Sequence, residues 1–297
     1  MPFDYKVWQE VRPARLDVVK LKLKRAFYLR RNSADFISGD IFADNADFQA
    51  FPPKFRSLPN SKIRICDAKV IFCPSDRLQE FLIENRNIIH AKVIICGNSD
   101  YEFHEVPTHI PKSIKHFFLQ NSFISDFKMF SPLPIGIENL RFARNGFPYL
   151  MNQNFSWEEK EDRILVGPFG LTHTDRNFIV DKFELDNNFI KIIPERLEPE
   201  QYARLMGKFR YVAAVRGNGV DTHRHWESLY RGSIPFVLND SWSTSMKFFG
   251  FPFVLLEEWS SSAIKARLQT NLVESRSIRL NERLWWPFWR ELINSYV

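Results

Sequence analysis

Residues 211–238 (YVAAVRGNGVDTHRHWESLYRGSIPFVL) constrain the fold of this chain more than any other segment. Residues 212–215 form the short apolar run that is typical of a parallel strand covered on both faces. Gly217 and Gly219 follow it and allow the backbone a tight turn. A polar stretch with helical spacing comes next, and residues 234–238 form a second apolar run. The segment therefore predicts a strand–turn–helix–strand unit of a parallel α/β sheet.

The helix of this unit begins among polar and basic residues. Either Asp221 or Thr222 can accept a hydrogen bond from an exposed N–H, so either can cap the helix. A glycine turn before a helix directs free N–H groups and the positive end of the helix dipole at one point, which suits phosphate. Arg216 and Arg224 add full positive charges there, and arginine can hold phosphate through two hydrogen bonds.

Side chains further along the helix extend the predicted phosphate site to a nucleotide site. Glu227 lies one turn beyond His223, on the same helix face, and its carboxylate can accept hydrogen bonds from ribose hydroxyls. His223 can donate a hydrogen bond to phosphate or sugar. His225 points to another face, so the two histidines are not expected to share a metal ion. An ordinary strand–helix–strand unit with surface charges is the alternative, but the glycines, the cap and the charges all agree on the nucleotide site.

Residues 216–235 (RGNGVDTHRHWESLYRGSIP) resemble the donor-site motif of exostosin-like and related GT-B glycosyltransferases. Ser228 stands where alanine is commoner in that motif. Three shorter segments resemble related bacterial polysaccharide glycosyltransferases: residues 36–42 (FISGDIF), 114–121 (IKHFFLQN) and 132–139 (PLPIGIEN). The resemblance implies a two-domain GT-B fold and a nucleotide-sugar donor bound by the C-terminal domain. It also implies that no catalytic metal and no cofactor besides the donor are required.

The expected fold class is therefore α/β and GT-B-like, with two Rossmann-like domains facing a central cleft. Residues 1–150 are expected to form the acceptor-side domain and residues 160–280 the donor domain. Residues 281–297 are expected to form a helix that crosses back onto the first domain, as such tails do in GT-B folds. The polar residues 146–161 are the predicted interdomain linker.

Apolar runs support an alternating strand–helix pattern in the first half of the chain. These runs cover residues 63–66, 70–73 and 91–96, and a helix is predicted to open at Ser75. The polar loop 96–101 follows the last of them. Ligands of open α/β sheets bind at the carboxyl ends of strands, so this loop is expected to face the cleft.

Composition limits the compartment and the partners. The net charge of +6 favours anionic partners without choosing among nucleotide sugars, acidic glycans, lipid or nucleic acid. Cys66, Cys73 and Cys96 are odd in number and show no Cys-x-x-Cys spacing, which favours free thiols over disulfides or zinc.

No apolar run approaches the ~20 residues that would span a bilayer, and no signal peptide opens the chain. A cytoplasmic protein, or a peripheral one on the inner face of the membrane, is expected.

Residues 15–31 form a predicted basic amphipathic helix, with seven Lys or Arg and one acid. Such a helix can lie on an anionic membrane. The alternative is a helix packed on its own domain with a solvated basic face.

Glycosyl transfer without a metal needs positive groups that neutralise the leaving phosphate and a group that accepts the proton of the acceptor hydroxyl. Arg216, Arg224 and the turn at residues 217–219 are expected to hold the phosphate. The loop at residues 167–176 is expected to reach the same cleft. The alternative is that this loop only leads into a helix. The predicted donor-binding residues are Thr172, His173, Arg176, Arg216, Gly217, Asn218, Gly219, Thr222, His223, Arg224 and Glu227.

Two acids of the first half are the candidate bases. Asp40 and Asp100 are expected in loops that face the cleft, and with Arg224 they make up the predicted catalytic set. Aspartate also favours turns for purely structural reasons, which is the alternative for both.

The function predicted from these residues is a metal-independent glycosyltransferase, acting from a nucleotide sugar onto a glycan or a lipid-linked acceptor. Three alternatives stay open. A nucleic-acid-binding protein would explain the basic charge, although no reader motif is present and nucleic acid is not an expected partner. A catalytically inactive sugar-binding scaffold would share the motif. A sulfotransferase-like enzyme would handle phosphate but lacks the lysine motif expected of its phosphate loop.

Overall fold

The computed structural model of the protein describes residues 35–52, 63–142, 144–152, 155–170, 172–183, 188–270 and 275–297. Within these ranges the strands form two five-stranded sheets, and every strand pair in both sheets is parallel. The predicted α/β class with two parallel sheets is therefore confirmed. The predicted basic helix at residues 15–31 lies outside the described residues.

The first sheet has its strands in chain order. They are β1 (Phe48–Gln49), β2 (Val70–Pro74), β3 (Val93–Gly97), β4 (His116–Gln120) and β5 (Phe130–Leu133). Two helices accompany it, α1 (Gly39–Asn45) and α2 (Leu78–Asn85). Ser38 caps α1 by accepting a hydrogen bond from the N–H of Ile41 at 3.3 Å.

Both faces of the first sheet are buried, which explains its nearly uninterrupted apolar strands. Side chains alternate between two cores along each strand because successive residues point to opposite faces. Ile71, Ile94 and Phe117 join a core with α2. Phe72, Ile95 and Phe118 join a larger core that is shared with the second half of the chain, so the two halves are packed together.

The second sheet contains β6 (Glu161–Val166), β7 (Ile190–Ile192), β8 (Phe209–Ala213), β9 (Ile234–Leu238) and β10 (Val254–Leu256), in the order β10-β9-β8-β6-β7. From β6 the chain winds to one side to form β7, and it then returns to the other side to form β8. The carboxyl ends of β6 and β8 therefore flank a topological switch point, where doubly wound sheets bind their ligands.

Seven helices connect or flank these strands in the described ranges. They are α3 (Pro148–Met151), α4 (Thr174–Lys182), α5 (Pro199–Gly207), α6 (His223–Tyr230), α7 (Ser241–Phe248), α8 (Ser261–Gln269) and α9 (Trp286–Asn294).

The last helix, α9, packs on the first sheet. The ring of Trp289 lies 5.7 Å from that of Phe42 and 6.2 Å from that of Phe118. Tyr296, just beyond α9, stacks on His116 of β4 with 3.9 Å between ring centroids. Burial lowers the pKa of His116 to about 4, so this ring is neutral at physiological pH.

One segment differs from the sequence expectations. The apolar run at 63–66 leads into a 3₁₀ helix, Ile65–Asp67, where the Asp67 carboxylate accepts a hydrogen bond from Arg64 Nε at 2.7 Å. Ile63 is 40% exposed, so this run has no buried face that would favour a strand.

The predicted linker at 146–161 has a buried anchor among its described residues, and its role as the linker stays a prediction. Lys160 is buried, and its ammonium donates hydrogen bonds to the carbonyls of Gly207 and Arg231 at 2.5 and 2.9 Å. These carbonyls lie at the ends of α5 and α6, where a positive charge stabilises the helix dipole. Burial, with the nearby charge of Arg231, lowers the pKa of Lys160 to about 8.

The cysteines are free thiols, as predicted. Cys73 and Cys96 lie side by side in adjacent strands, and burial raises the pKa of both, which favours the protonated, unreactive form. In the described part of the chain, no helix is long and apolar enough to cross a bilayer.

Tyr230 provides a test of how the halves are joined. Its hydroxyl accepts a hydrogen bond from the N–H of Ile37 at 3.1 Å and donates one to the carbonyl of Leu284. We expect Tyr230→Phe to lower the free energy of unfolding by about 2–3 kcal/mol, because two buried backbone groups lose their partner. Urea denaturation measures this change.

Tyr202→Phe is the matched control for that experiment. The buried Tyr202 hydroxyl has no hydrogen-bond partner among the described residues, so its removal should change stability by less than about 0.5 kcal/mol. Equal destabilisation by the two variants would contradict the bridging role of Tyr230.

Candidate functional site

The glycine turn lies at the carboxyl end of β8, beside the switch point of the second sheet. The Gly217 N–H donates a hydrogen bond to the Gly219 carbonyl at 3.0 Å, which closes the turn. Thr222 then has extended backbone angles (φ −128°, ψ 151°) and occupies the N-cap of α6. The structure thus selects Thr222 over Asp221 as the capping position.

Asp221 instead anchors the turn to the first sheet. Its carboxylate accepts hydrogen bonds from the Ile135 N–H and from the Trp226 indole N–H, each at 2.8 Å. Its own N–H donates to the side-chain oxygen of Asn121 at 2.9 Å. Asn121 and Ile135 follow β4 and β5, so the carboxyl ends of strands in both sheets meet at this turn.

Close approach explains both glycines of the turn. A Cβ atom at Gly219 would lie 2.7 Å from the Asn121 side-chain nitrogen, and one at Gly217 would lie 3.0 Å from Arg176 Nη2. Asn121 itself is fully buried and has a positive φ of 53°. The turn can therefore reach the first sheet only where a side chain is missing.

Arg176 holds the turn against the loop that follows β6. Its guanidinium donates to the carbonyls of Arg216 (2.8 Å), Val215 (3.0 Å) and Gly170 (3.2 Å), and to Thr172 Oγ1 (2.9 Å). Burial, together with the charge of Arg224, lowers the pKa of Arg176 to about 10, so the group stays positive at neutral pH. Thr172 and Arg176 thus lie at the turn, and Arg176 positions the backbone there, while donor-binding roles for both stay predictions.

His173 has a local role in the structure. It is the N-cap of α4, and its Nδ1 accepts a hydrogen bond from the Asp175 N–H at 3.2 Å. This arrangement is the plain helix entry that was the alternative for the loop. A donor-binding role for His173 stays a prediction.

Arg224, in the first turn of α6, is held rigidly but left partly unpaired. Its Nη2 donates to the Pro168 carbonyl at 2.5 Å, and its guanidinium carbon lies 4.5 Å from the ring centroid of Phe169 and 5.2 Å from that of Tyr202. Its Nη1 is buried and has no hydrogen-bond partner within the described ranges. A buried N–H group of this kind keeps the capacity to donate a hydrogen bond to a ligand oxygen or to water.

Positive charge exceeds negative charge around Arg224. The charges of Arg224, Arg176 and Arg231 all act on the buried hydroxyl of Tyr202. Burial lowers the pKa of Arg231. Glu227 is the one carboxylate whose charge acts on Tyr202 in this set, and it is buried. Three guanidinium groups and one carboxylate thus act on Tyr202, with a second acid, Glu138, close to Glu227, and the remaining positive charge favours an anion.

His223 connects α6 to the first half of the chain. Its Nδ1 lies 2.8 Å from the Gly136 carbonyl, and since a carbonyl can only accept, Nδ1 carries the proton. In the neutral ring, Nε2 is then an acceptor. Gly136 has a positive φ of 70°, so a glycine suits the turn that brings its carbonyl to the histidine.

Glu138 is a candidate that the sequence analysis missed. Its Oε2 accepts a hydrogen bond from the Asn145 N–H at 2.6 Å. Burial raises the pKa of Glu138, the charge of Glu227 raises it further, and His223 lowers it, so the three groups lie near one another. The segment at 132–139 did carry part of the family resemblance, but nothing in it distinguished this acid from a surface residue.

Of the two predicted acids, Asp100 lies in the loop after β3 as expected, whereas Asp40 lies in the first turn of α1, capped by Ser38, and not in a loop. Asp40 accepts hydrogen bonds from Arg141 Nη1 at 2.6 Å and from Asn98 Nδ2 at 3.3 Å. An ion pair of this kind makes a carboxylate less available as a base. Asp100 is exposed and accepts from Asn218 Nδ2 at 3.1 Å, so it does reach the glycine turn. Catalytic roles for both stay predictions.

Arg216 forms an ion pair with a residue of the first half of the chain. Its Nη2 lies 2.5 Å from Glu102 Oε1, whose carboxylate follows β3, while its Nε is buried without a partner in the described part of the chain. Arg216 is thus a bridge between the two sheets, and release of the Glu102 pair would free its charge for an anion.

Other potential sites lie elsewhere or are incomplete. A cavity of about 360 Å³ lies between α1, α9 and the start of β2, away from the glycine turn. Among the residues that the structure describes, no group of three or more His, Cys, Asp or Glu is arranged to hold a metal ion.

Comparison with known proteins adds no relative. No protein-family model matches the chain, and no curated protein matches its sequence. The interpretation of the site therefore depends on the motif residues and their geometry.

Two glycines allow a test of the turn. A methyl group at Gly219 would collide with Asn121, whose side chain holds the N–H of Asp221. We expect Gly219→Ala to lower the free energy of unfolding by about 1–3 kcal/mol, as overpacking of a tight contact does. Chemical denaturation measures the loss.

Gly170→Ala is the control. A Cβ atom there would meet only Thr172 Cγ2, at 3.9 Å, which is an ordinary contact. Its stability should stay within about 0.5 kcal/mol of the wild type. Tolerance of Gly219→Ala to the same degree would rule out the close approach as the reason for that glycine.

Proposed function

We propose that this protein is a glycosyltransferase of GT-B architecture, which transfers a sugar from a nucleotide-sugar donor to a glycan or lipid-linked acceptor. The observation that carries the proposal is the unpaired, buried Nη1 of Arg224 in the first turn of α6, beside Arg176. Such a group is poised for an anion, and the leaving diphosphate or monophosphate of a nucleotide sugar is the anion that the motif implies.

The surroundings of Arg224 suit a leaving phosphate. The Pro168 carbonyl and the Phe169 ring hold the guanidinium in place before any ligand binds. A preorganised charge in a partly dry site stabilises developing negative charge more strongly than a mobile charge in water. The N-terminal N–H groups of α6 point to the same region, so the helix dipole acts in the same direction.

The architecture also supports the proposal. The glycine turn lies at the switch point of a doubly wound sheet, and the carboxyl ends of the first sheet face it through Asn121 and Ile135. The packing of α9 on the first sheet agrees with the crossing helix that the resemblance implies. A donor at the turn would place its sugar toward the loops of the first half.

In the proposed reaction, an acceptor hydroxyl attacks the anomeric carbon as the bond from that carbon to the phosphate oxygen breaks. The phosphate leaves with the bonding electrons and is stabilised by Arg224 and the α6 N-terminus. The proton of the hydroxyl passes to a carboxylate on the first-sheet side. Glu138 suits this role better than Asp40, since burial raises the pKa of Glu138 while Asp40 is paired with Arg141.

Removal of the Arg224 guanidinium tests the phosphate role. A thermal-shift screen of UDP-, GDP-, CMP- and dTDP-sugars first identifies the donor, because a ligand of the native state raises the melting temperature. We expect Arg224→Ala to abolish that shift and to lower kcat/KM by about 10²–10³-fold, as loss of one preorganised donor does.

Arg204→Ala is the control, since Arg204 is an exposed arginine on α5. It should keep both the thermal shift and the activity. Full donor binding and activity in Arg224→Ala would exclude the proposed site. Donor binding without any transfer or hydrolysis in the wild type would favour the inactive scaffold instead.

The pH dependence of transfer tests the proton acceptor. A base must be deprotonated, so kcat/KM falls as the pH drops through its pKa, and the raised pKa of Glu138 puts this fall above the usual range of a glutamate. We expect Glu138→Gln to lower kcat by about 10²-fold or more and to remove this acidic limb. If Glu138→Gln keeps the acidic limb of the pH profile while Asp40→Asn or Asp100→Asn loses it, the aspartate whose variant loses the limb is the proton acceptor.

A further inference from the structure

Two of the large apolar side chains in the described ranges are exposed far more than the others. Leu280 is 81% and Phe248 is 77% exposed. Phe248 stacks on Phe127, itself 36% exposed, with 5.2 Å between ring centroids and 21° between planes. Single exposed apolar residues are normal on proteins, whereas a connected group marks an interaction surface.

Local contacts bring Leu280 to the same region. Asn281 Nδ2 donates a hydrogen bond to the Gly250 carbonyl at 2.8 Å, which ties the segment of Leu280 to the turn just after Phe248. We call Phe127, Phe248 and Leu280 the apolar lip. The three residues come from a loop of the first half, the end of α7 and the end of a 3₁₀ helix, Ser275–Leu280.

Basic residues flank the apolar lip. Lys128 follows Phe127, Lys247 precedes Phe248, and both are exposed. The Arg283 guanidinium lies 5.0 Å from the Phe288 ring centroid, beside Gly250. Two acids are also near: Asp126 accepts the Lys128 backbone N–H at 3.1 Å, and Glu282 lies 3.4 Å from Arg283. These groups carry three positive charges and two negative ones, and both lysines adjoin a ring of the stack, as Asp126 does.

We infer that the apolar lip and its two lysines dock the protein on an anionic membrane surface. Phenylalanine and leucine side chains insert at the boundary between headgroups and acyl chains, while lysines bind anionic headgroups. The lip is small: three side chains cannot supply the ~800 Å² per partner of a stable protein interface. An interfacial membrane anchor needs no such area, and the net charge of +6 acts in the same direction.

Vesicle co-sedimentation of the full chain tests this inference. Vesicles of phosphatidylcholine alone are compared with vesicles that contain about one third phosphatidylglycerol, a composition that supplies a negatively charged surface without a specific receptor. We expect the wild type to bind the anionic vesicles. Phe248→Ser with Leu280→Ser should lower the partition coefficient by about tenfold or more, because two apolar side chains no longer insert.

Charge reversal tests the lysines separately. Lys128→Glu with Lys247→Glu should lower partitioning by about 20-fold or more, and the remaining binding should lose its preference for anionic lipid. The matched controls are Lys208→Glu with Lys265→Glu, which make the same change in net charge at the end of α5 and on α8, and Ile83→Ser, which removes a 53% exposed apolar side chain from α2. Both controls should bind as the wild type does.

Three outcomes would overturn the inference. Equal binding of all variants would place membrane attachment elsewhere, with residues 15–31 the first segment to test. Failure of the wild type to bind anionic vesicles would exclude the membrane as the occupant. Self-association of the wild type in light scattering, lost in the Phe248 and Leu280 variant, would make a second copy of the chain the occupant. None of these outcomes depends on the proposed transferase activity.

Discussion

The buried carboxylate of Asp221 is the interaction on which the arrangement of the two halves depends. It receives the Ile135 N–H from the first half and the Trp226 indole from α6, while the N–H of the same residue binds Asn121. A buried charge is stable only when its hydrogen bonds are made, so the turn, the helix and two first-sheet loops must assemble together. The glycine at 219 lets the backbone come close enough for these bonds to form.

Around this anchor the protein keeps two kinds of arginine. Arg176 donates hydrogen bonds to three backbone carbonyls and to Thr172 Oγ1, and these bonds hold the turn in place. Arg224 is equally well held but retains a buried nitrogen without a partner in the described part of the chain. Leaving such a group unpaired costs stability, and that cost is reasonable where a ligand restores the missing hydrogen bond. The contrast between the two is the basis of our proposal that an anion binds at α6.

Much of the fold was predictable because it depends on local patterns. Parallel strands buried on both faces need continuous apolar runs, and those of β3, β4, β8 and β9 stand out in the sequence. The exceptions depend on distant partners. Lys160 lies in an acidic, polar stretch, yet it is buried because two helix ends more than forty residues away present carbonyls to it. Glu138 likewise became a candidate base only because α6, which carries His223 and Glu227, lies near it.

By itself, the sequence determined that the chain is α/β and that residues 216–224 turn into a helix with arginines at its start, and it predicted that this turn suits an anion. These properties follow from glycine conformation, capping and charge over a few residues. The tertiary structure decided which charged groups are paired within the protein and which can still bind a ligand. It paired Asp40 with Arg141 and Arg216 with Glu102, left Nη1 of Arg224 without a partner in the described part of the chain, and brought Glu138 toward His223. Pairing is a matter of distance between residues far apart in the chain, and only the packing of the two sheets sets those distances.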